Sequence, residues 1–352
     1  MSNLRRIVKI IKKNKLYVWL LIFIIAFNLL AKFNAISTEA KLEIQAKRIK
    51  SFEAKLPSAE RIKQMVLNQS NIYAQTLFIL FLMSFLALII GAIIDIIFIV
   101  LKTSKVEIIP RSSPSYKTNW KLIDVIRVII LFVFISYVVS IGYAFFKKAF
   151  GLGEFDTVSK MVTGMTLSYV IIISLLIYFI SYKHRNKFKI LGLHFKKFFR
   201  NIFLGIVGYI AIIPILALVV FIAMAISSYL KYTPEPQPLL DALFIEKKPF
   251  LFFYLILIIC FIGPLIEELF FRGFVYRALK ERIGKAAAVM TSAVFFAWLH
   301  MTLIGFFPIL ILGILLAYLY EKNGTLIPSI TVHMIHNTII VIFLYSLKGL
   351  IS

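Results

Sequence analysis

The chain has 352 residues, 61% of them hydrophobic, with 40 Lys and Arg against 16 Asp and Glu and a formal net charge of +24. With a mean hydropathy of +0.93, this composition excludes an ordinary soluble domain and indicates an all-α, polytopic transmembrane bundle. The basic excess sits in short loops between apolar runs, where topology and anionic lipid headgroups select it. No soluble basic domain is left to hold nucleic acid.

Apolar periods predict nine spans, at about 16–31, 72–101, 125–146, 161–182, 201–229, 250–271, 286–304, 307–320 and 326–346. A basic stretch (Arg5, Arg6, Lys9, Lys12, Lys13, Lys15) precedes the first. It reads as an uncleaved span rather than a signal peptide, because Lys32 and Asn34 make a poor approach to the cleavage look-alike Ala35-Ile36-Ser37. The segment 32–71 is rich in Lys and Glu; Leu42, Ile49, Phe52 and Leu56 recur at near-heptad spacing, and Pro57-Ser58 caps a second amphipathic piece. A surface helix pair is expected there, with a partner-binding coiled segment as the alternative.

The stretch 103–119, with Pro110, Arg111, Ser112, Ser113 and Pro114, is the candidate linker. It divides a two-span N-terminal module, 1–102, from a seven-span membrane core, 120–352. A second Pro-rich loop, Tyr232 to Pro238, precedes the last four spans. Lys and Arg concentrate in alternate loops, including Lys102 through Lys121, Lys183 through Arg200 and Arg272 through Lys285. The distribution orients the N-terminus inward and, with nine spans, the C-terminus outward, in the cell membrane if the chain is bacterial. The single cysteine, Cys260, lies in an apolar run, so no disulfide framework or Cys-based zinc site is expected.

Polar side chains break the last third of the chain: Glu267, Glu268 and Arg272, then His300, then His333 and Asn337. Each ionisable group costs roughly 2.5–3.5 kcal/mol to place in hydrocarbon on insertion scales, so a cluster calls for a purpose. Glu268 and Arg272 are four apart and share a helix face, whereas Glu267 is turned about 100° away. One carboxylate is thereby neutralised while its neighbour stays available. Gly263-Pro264 removes a backbone hydrogen bond just before the pair, leaving room for a bend and for water.

If Ile283-Gly284 is a hairpin pivot, Glu267 and His300 are each about sixteen residues from it and stand level at about 1.5 Å per residue. Counting on through turns near Gly305 and Asn323-Gly324 returns that height close to residue 336. His333 and Asn337 bracket it on one face, with His336 flanking. Asp95 has no partner in sequence and reads as structural; His184 and His194 lie in a basic loop and read as solvated.

A carboxylate and an imidazole sharing one water make it a nucleophile, and an imidazole with a carboxamide can donate to a developing oxyanion. No GxSxG elbow or Ser-His-Asp arrangement accompanies them. Zinc is the rival use of His300, His333 and a glutamate, though HExxH is missing and Asn337 is an unusual ligand. Metal-free water activation, without a cofactor, is the expectation.

At these positions the chain resembles the CPBP family, which includes the type II CAAX prenyl proteases and the bacteriocin-processing or Abi proteins. The matching patterns are Glu267-Glu268-xxx-Arg272, Phe296-xxx-His300 and His333-xxx-Asn337, in the family's order over about 250–346. The resemblance implies a glutamate-dependent intramembrane endopeptidase acting on a membrane-associated protein or peptide. Glu267 and His300 would activate water, His333 and Asn337 would form the oxyanion hole, and Glu268 and Arg272 would support them. The first hundred residues depart from that core and are where a protein partner is expected. A non-catalytic membrane scaffold regulating an envelope process is the alternative from another class. A proton-coupled transporter fits less well, for want of paired broken helices.

Overall fold

The structure, a computed structural model, describes residues 13–33, 57–68, 70–104, 118–151, 153, 155–232, 242–244 and 246–351. The heptad-like stretch 42–56, most of the candidate linker (105–117) and the Pro-rich loop 233–238 lie outside the described residues. The described elements are helical: α1 (Lys15–Phe33), α2 (Ala59–Leu67), α3 (Ile72–Thr103), α4 (Leu122–Phe150), α5 (Thr157–Lys183), α6 (Phe198–Tyr229), α7 (Pro249–Ile283), α8 (Lys285–Leu299), α9 (Phe306–Asn323) and α10 (Ile327–Ile351). Each of the nine apolar runs has become a helix. Seven are long and apolar enough to cross a membrane, while α8 and the apolar part of α1 are shorter. The protein is a multi-pass helical membrane protein.

Two spans differ from expectation. Helix α7 does not end with its apolar run near 271 but runs 35 residues to Ile283, the expected pivot, with Arg272 inside the helix as its spacing from Glu268 requires. Helix α8 ends at Leu299 instead of reaching 304, and Met301 takes a left-handed backbone (φ 53°) that stops it. Ser58 caps α2 as its sequence suggests, accepting from the Arg61 amide at 3.3 Å.

The chain divides into two compact units, and one boundary between them, Thr118/Asn119, falls within the candidate linker 103–119. One unit holds α1, α4 and α5. Its centre is Asp124, 4% exposed, which accepts from Lys183 at 2.6 Å and Arg127 at 2.8 Å. Asn14 accepts a second bond from Arg127, at 2.7 Å. His184 stands 3.3 Å from Asp124 and is half-buried, not solvated as its basic loop suggested.

The other unit holds α2, α3 and α6 to α10. Helix α3, expected in a separate N-terminal module, packs here on α6 and α10. The reason is a contact that linker composition cannot reveal. At Gly91 a Cβ would collide with the Ile210 carbonyl and come within 2.8 Å of Pro214. The missing side chain lets the helices approach as small residues do in membranes. Tyr209, Leu312, Leu316, Leu319 and Val332 form the core between α6, α9 and α10, and the Ser329 hydroxyl donates to the Leu316 carbonyl at 2.8 Å. Phe81, Met83, Phe85 and Ile96 on α3 are exposed, as a lipid-facing surface requires.

Gly91→Val is expected to wedge α3 from α6 and destabilise the protein by about 1–3 kcal/mol, the range for overpacking. Thermal unfolding in detergent checks this, with Ser84→Val on the same helix as the control.

Candidate active site

Helix α7 is not a uniform α-helix. Gly263–Glu268 are α-helical between two widened, π-type stretches, Ile258–Ile262 and Leu269–Tyr276. Such widenings leave backbone groups without their usual partners. The Gly263 amide donates to the Ile258 carbonyl, five residues back, instead of to Ile259. The next amide that a widened turn would offer Ile259 belongs to residue 264, which is proline and has none. The Ile259 carbonyl therefore accepts from outside the helix: Asn337 Nδ2 of α10 donates to it at 2.8 Å. One hydrogen of the carboxamide is fixed, and the other remains for a ligand.

One turn later, Glu268 and Arg272 are both fully buried and pair at 2.8 Å, as their spacing leads one to expect. Arg272 also donates to the Gly313 carbonyl of α9 at 3.1 Å and lies 4.5 Å from the centre of the Phe296 ring. A Cβ at Gly313 would crowd Phe296 at 3.3 Å and Ala293 at 3.2 Å, so a larger residue would press on the ring that covers Arg272. The ion pair thus ties α7 to α8 and α9. A charge pair in a bundle interior survives only with such further partners.

Phe296 is the hub. Its ring meets His300 at 4.6 Å, His333 at 5.6 Å and Phe271 at 5.1 Å, edge to face in each case. Its carbonyl sets the chemistry of His300. His300 Nδ1 lies 2.8 Å from that oxygen, which can only accept, so the proton of the neutral ring sits on Nδ1. Nε2 is left as a lone-pair acceptor, the form a base requires.

His333 bridges the two glutamates. Its Nδ1 is 3.2 Å from Glu268 and its Nε2 is 3.8 Å from Glu267. The pair is unequal: the side chain of Glu268 is 0% exposed, whereas that of Glu267 is 28% exposed. Glu268 is locked into the frame, and Glu267 can meet a substrate or water. Glu267, Glu268, Arg272 and His333 are joined directly, His300 joins them through Phe296, and Asn337 joins through α7. Among the described residues, no three His, Cys, Asp or Glu side chains are arranged to hold a metal ion.

The sequence marks Phe296 as part of the Phe296-xxx-His300 pattern without giving it a role, and does not single out Gly313 or the Ile259 carbonyl. A glycine inside an apolar helical run is a recognised sign of close approach, and Gly313 had that signal. Tyr209 gave none: its hydroxyl is 3.3 Å from His336 Nδ1, which turns His336 toward α6, whereas His333 meets α7.

Residues 249–339 match a family model described as type II CAAX prenyl endopeptidase Rce1-like. They contain every residue of the cluster. A similar protein is the one described as "Putative membrane peptidase YdiL" from Bacillus subtilis (strain 168), 30% identical over 88 residues. That likeness covers 25% of this chain and 36% of the relative's length. No solved structure matches the chain. The matched segment begins with α7 and ends within α10, so α8 and α9 are the other helices that complete the cluster's frame.

Arg272→Ala strands the Glu268 carboxylate in the interior and is expected to cost about 3–5 kcal/mol, the penalty for breaking a buried pair. Glu268→Gln combined with Arg272→Met should recover much of that loss in thermal unfolding. Pro264→Ala restores an amide for the Ile259 carbonyl and frees Asn337. The expected outcome is near-normal stability with a changed Asn337 environment, read by nuclear magnetic resonance of the labelled carboxamide.

Proposed function

We propose that the chain is an intramembrane endopeptidase that hydrolyses a peptide bond of a membrane-associated protein or peptide. One observation carries this reading: His333 spans a buried, arginine-locked glutamate and a more open one, beside a second histidine whose tautomer is fixed for base function. A structural ion pair, even one braced by its neighbours, has no use for the half-open Glu267 or for a second histidine with a free Nε2. The type II CAAX prenyl endopeptidase match supports the same class of reaction.

In this mechanism a water molecule sits between Glu267 and His300 Nε2. Glu267 takes a proton from it as the oxygen attacks the scissile carbonyl, and His300 orients the water through its lone pair. The carbonyl oxygen gains negative charge and accepts from the uncommitted Nδ2 hydrogen of Asn337 and from the Nε2–H of a doubly protonated His333, whose Nδ1–H is held by Glu268. Collapse of the tetrahedral intermediate breaks the C–N bond, and the proton held by Glu267 passes to the leaving nitrogen. Glu268 and Arg272 position His333 without touching substrate. The step is derived from acid–base groups alone; a chelator is expected to leave it unchanged.

The basic loops orient the N-terminus toward the cytosol in this proposal, and the segment before α3 is where a protein partner would bind. Glu267→Gln and His300→Ala are each expected to abolish cleavage with normal expression and membrane insertion. Comparative peptidomics of cells carrying wild type or Glu267→Gln identifies the substrate as the peptide that changes length. Asn337→Ala should lower kcat by about 10²–10³, the cost of one oxyanion donor, with little change in KM. Phenotypic rescue by both Glu267→Gln and His300→Ala would instead favour a scaffold.

A further inference from the structure

The second unit buries another arginine outside the proposed catalytic cluster. Arg277, 6% exposed, follows the wide turn of α7. Its Nε donates to the Tyr320 hydroxyl, which itself donates to the Leu191 carbonyl at 2.8 Å, and the guanidinium lies 5.5 Å from the Tyr320 ring centre. One side of the group is therefore fixed. The opposite side is not met: Nη1 and Nη2 are both buried and have no hydrogen-bond acceptor among the described residues.

The carboxylate next to Tyr320 is already held by other cations. Glu321, next to Tyr320, accepts from Tyr276 at 2.9 Å and Lys280 at 2.6 Å, and lies 3.2 Å from Lys285. The surrounding frame is tied down. The Leu326 amide donates to the Gly192 carbonyl at 2.9 Å, and Thr325 donates to the His194 carbonyl at 3.2 Å. Gly192, at φ +100°, could not carry a Cβ without meeting the Tyr320 ring at 2.7 Å. His194 is half-buried here rather than solvated as its sequence suggested. Burial first, and then the charges of Arg277 and Lys189, hold its imidazole below the usual histidine range.

A guanidinium stays ionised, so leaving two of its donors buried without an acceptor is costly. Its paired outer nitrogens match two oxygens of one oxyanion. Lys280 and Lys285 share the single carboxylate of Glu321, and Lys189 acts on the same His194 as Arg277 does, so this end of α7 keeps a net positive charge, and basic clusters at membrane surfaces attract headgroup phosphates. We propose that Arg277 seats a phosphate-class anion through Nη1 and Nη2, supplied as free phosphate or as the headgroup of an anionic phospholipid. This site does not rest on the protease reading.

The test follows thermal unfolding of the full chain in detergent against inorganic phosphate, with potassium chloride at matched ionic strength as the control. A parallel arm compares phosphatidylcholine nanodiscs with and without phosphatidylglycerol. Wild type is expected to gain stability in at least one arm; a response to phosphate identifies the free anion, and a response only to phosphatidylglycerol identifies the headgroup. In Arg277→Gln the half-saturating concentration should rise at least about tenfold, the loss of one charge-assisted contact. That variant should be no less stable than wild type without anion, because it removes a buried charge. If it does not fold, Arg277→Lys keeps the charge without the paired donors and should still weaken binding. No response of wild type in either arm, or an equal response in the folded variant, overturns the proposal and leaves an adventitious ion only.

Discussion

The cluster depends on two charges that water never reaches. Glu268 and Arg272 are each fully buried, and their attraction at 2.8 Å has to offset the loss of hydration of both. It does so by recruiting neighbours: the Gly313 carbonyl, the face of Phe296 and His333. Each recruit lies on a different helix, so the ion pair becomes the joint through which α8, α9 and α10 are held at α7. Everything the proposed chemistry needs to be still, His333 above all, is braced against that joint.

The division of labour between adjacent glutamates follows from one turn of geometry. A side chain about 100° further round the helix faces a different neighbourhood, and here that means full burial for Glu268 and partial exposure for Glu267. His333 touches both carboxylates, so it links the locked frame to the open position. Helix α7 supplies a second device through irregularity. Its widened turn and Pro264 together deprive the Ile259 carbonyl of an amide, and Asn337 answers from α10. A regular helix would have satisfied Ile259 internally and left Asn337 with no such anchor.

Much of this was legible in residue order. Apolar runs located nine helices, Gly284 and Gly324 marked the turns at positive φ, and the four-residue spacing of Glu268 and Arg272 foretold their pairing. Hydropathy misplaced the end of α7, because it scores Arg272 as a loop charge and cannot register that a buried carboxylate awaits it. The packing partners of α3 also escaped. Linker composition marks where a chain is tolerant of change, whereas Gly91 decides which helices can touch, and only coordinates reveal what lies opposite a glycine. The role of Phe296 was hidden for a similar reason: an aromatic in an apolar helix gives no sign of which three rings will surround it.

Helix α8 has a consequence for the lipid around it. Fifteen residues reach about 22 Å at 1.5 Å per residue, against roughly 30 Å of hydrocarbon in a typical bilayer. A rod that falls short by that margin obliges the leaflet to dip, or water and neighbouring chain to fill the gap, at the end where His300 stands. Bilayer thickness thereby becomes a structural parameter of the site: acyl-chain length sets how deep that depression must be. Lipid composition can then tune the hydration of the His300 imidazole.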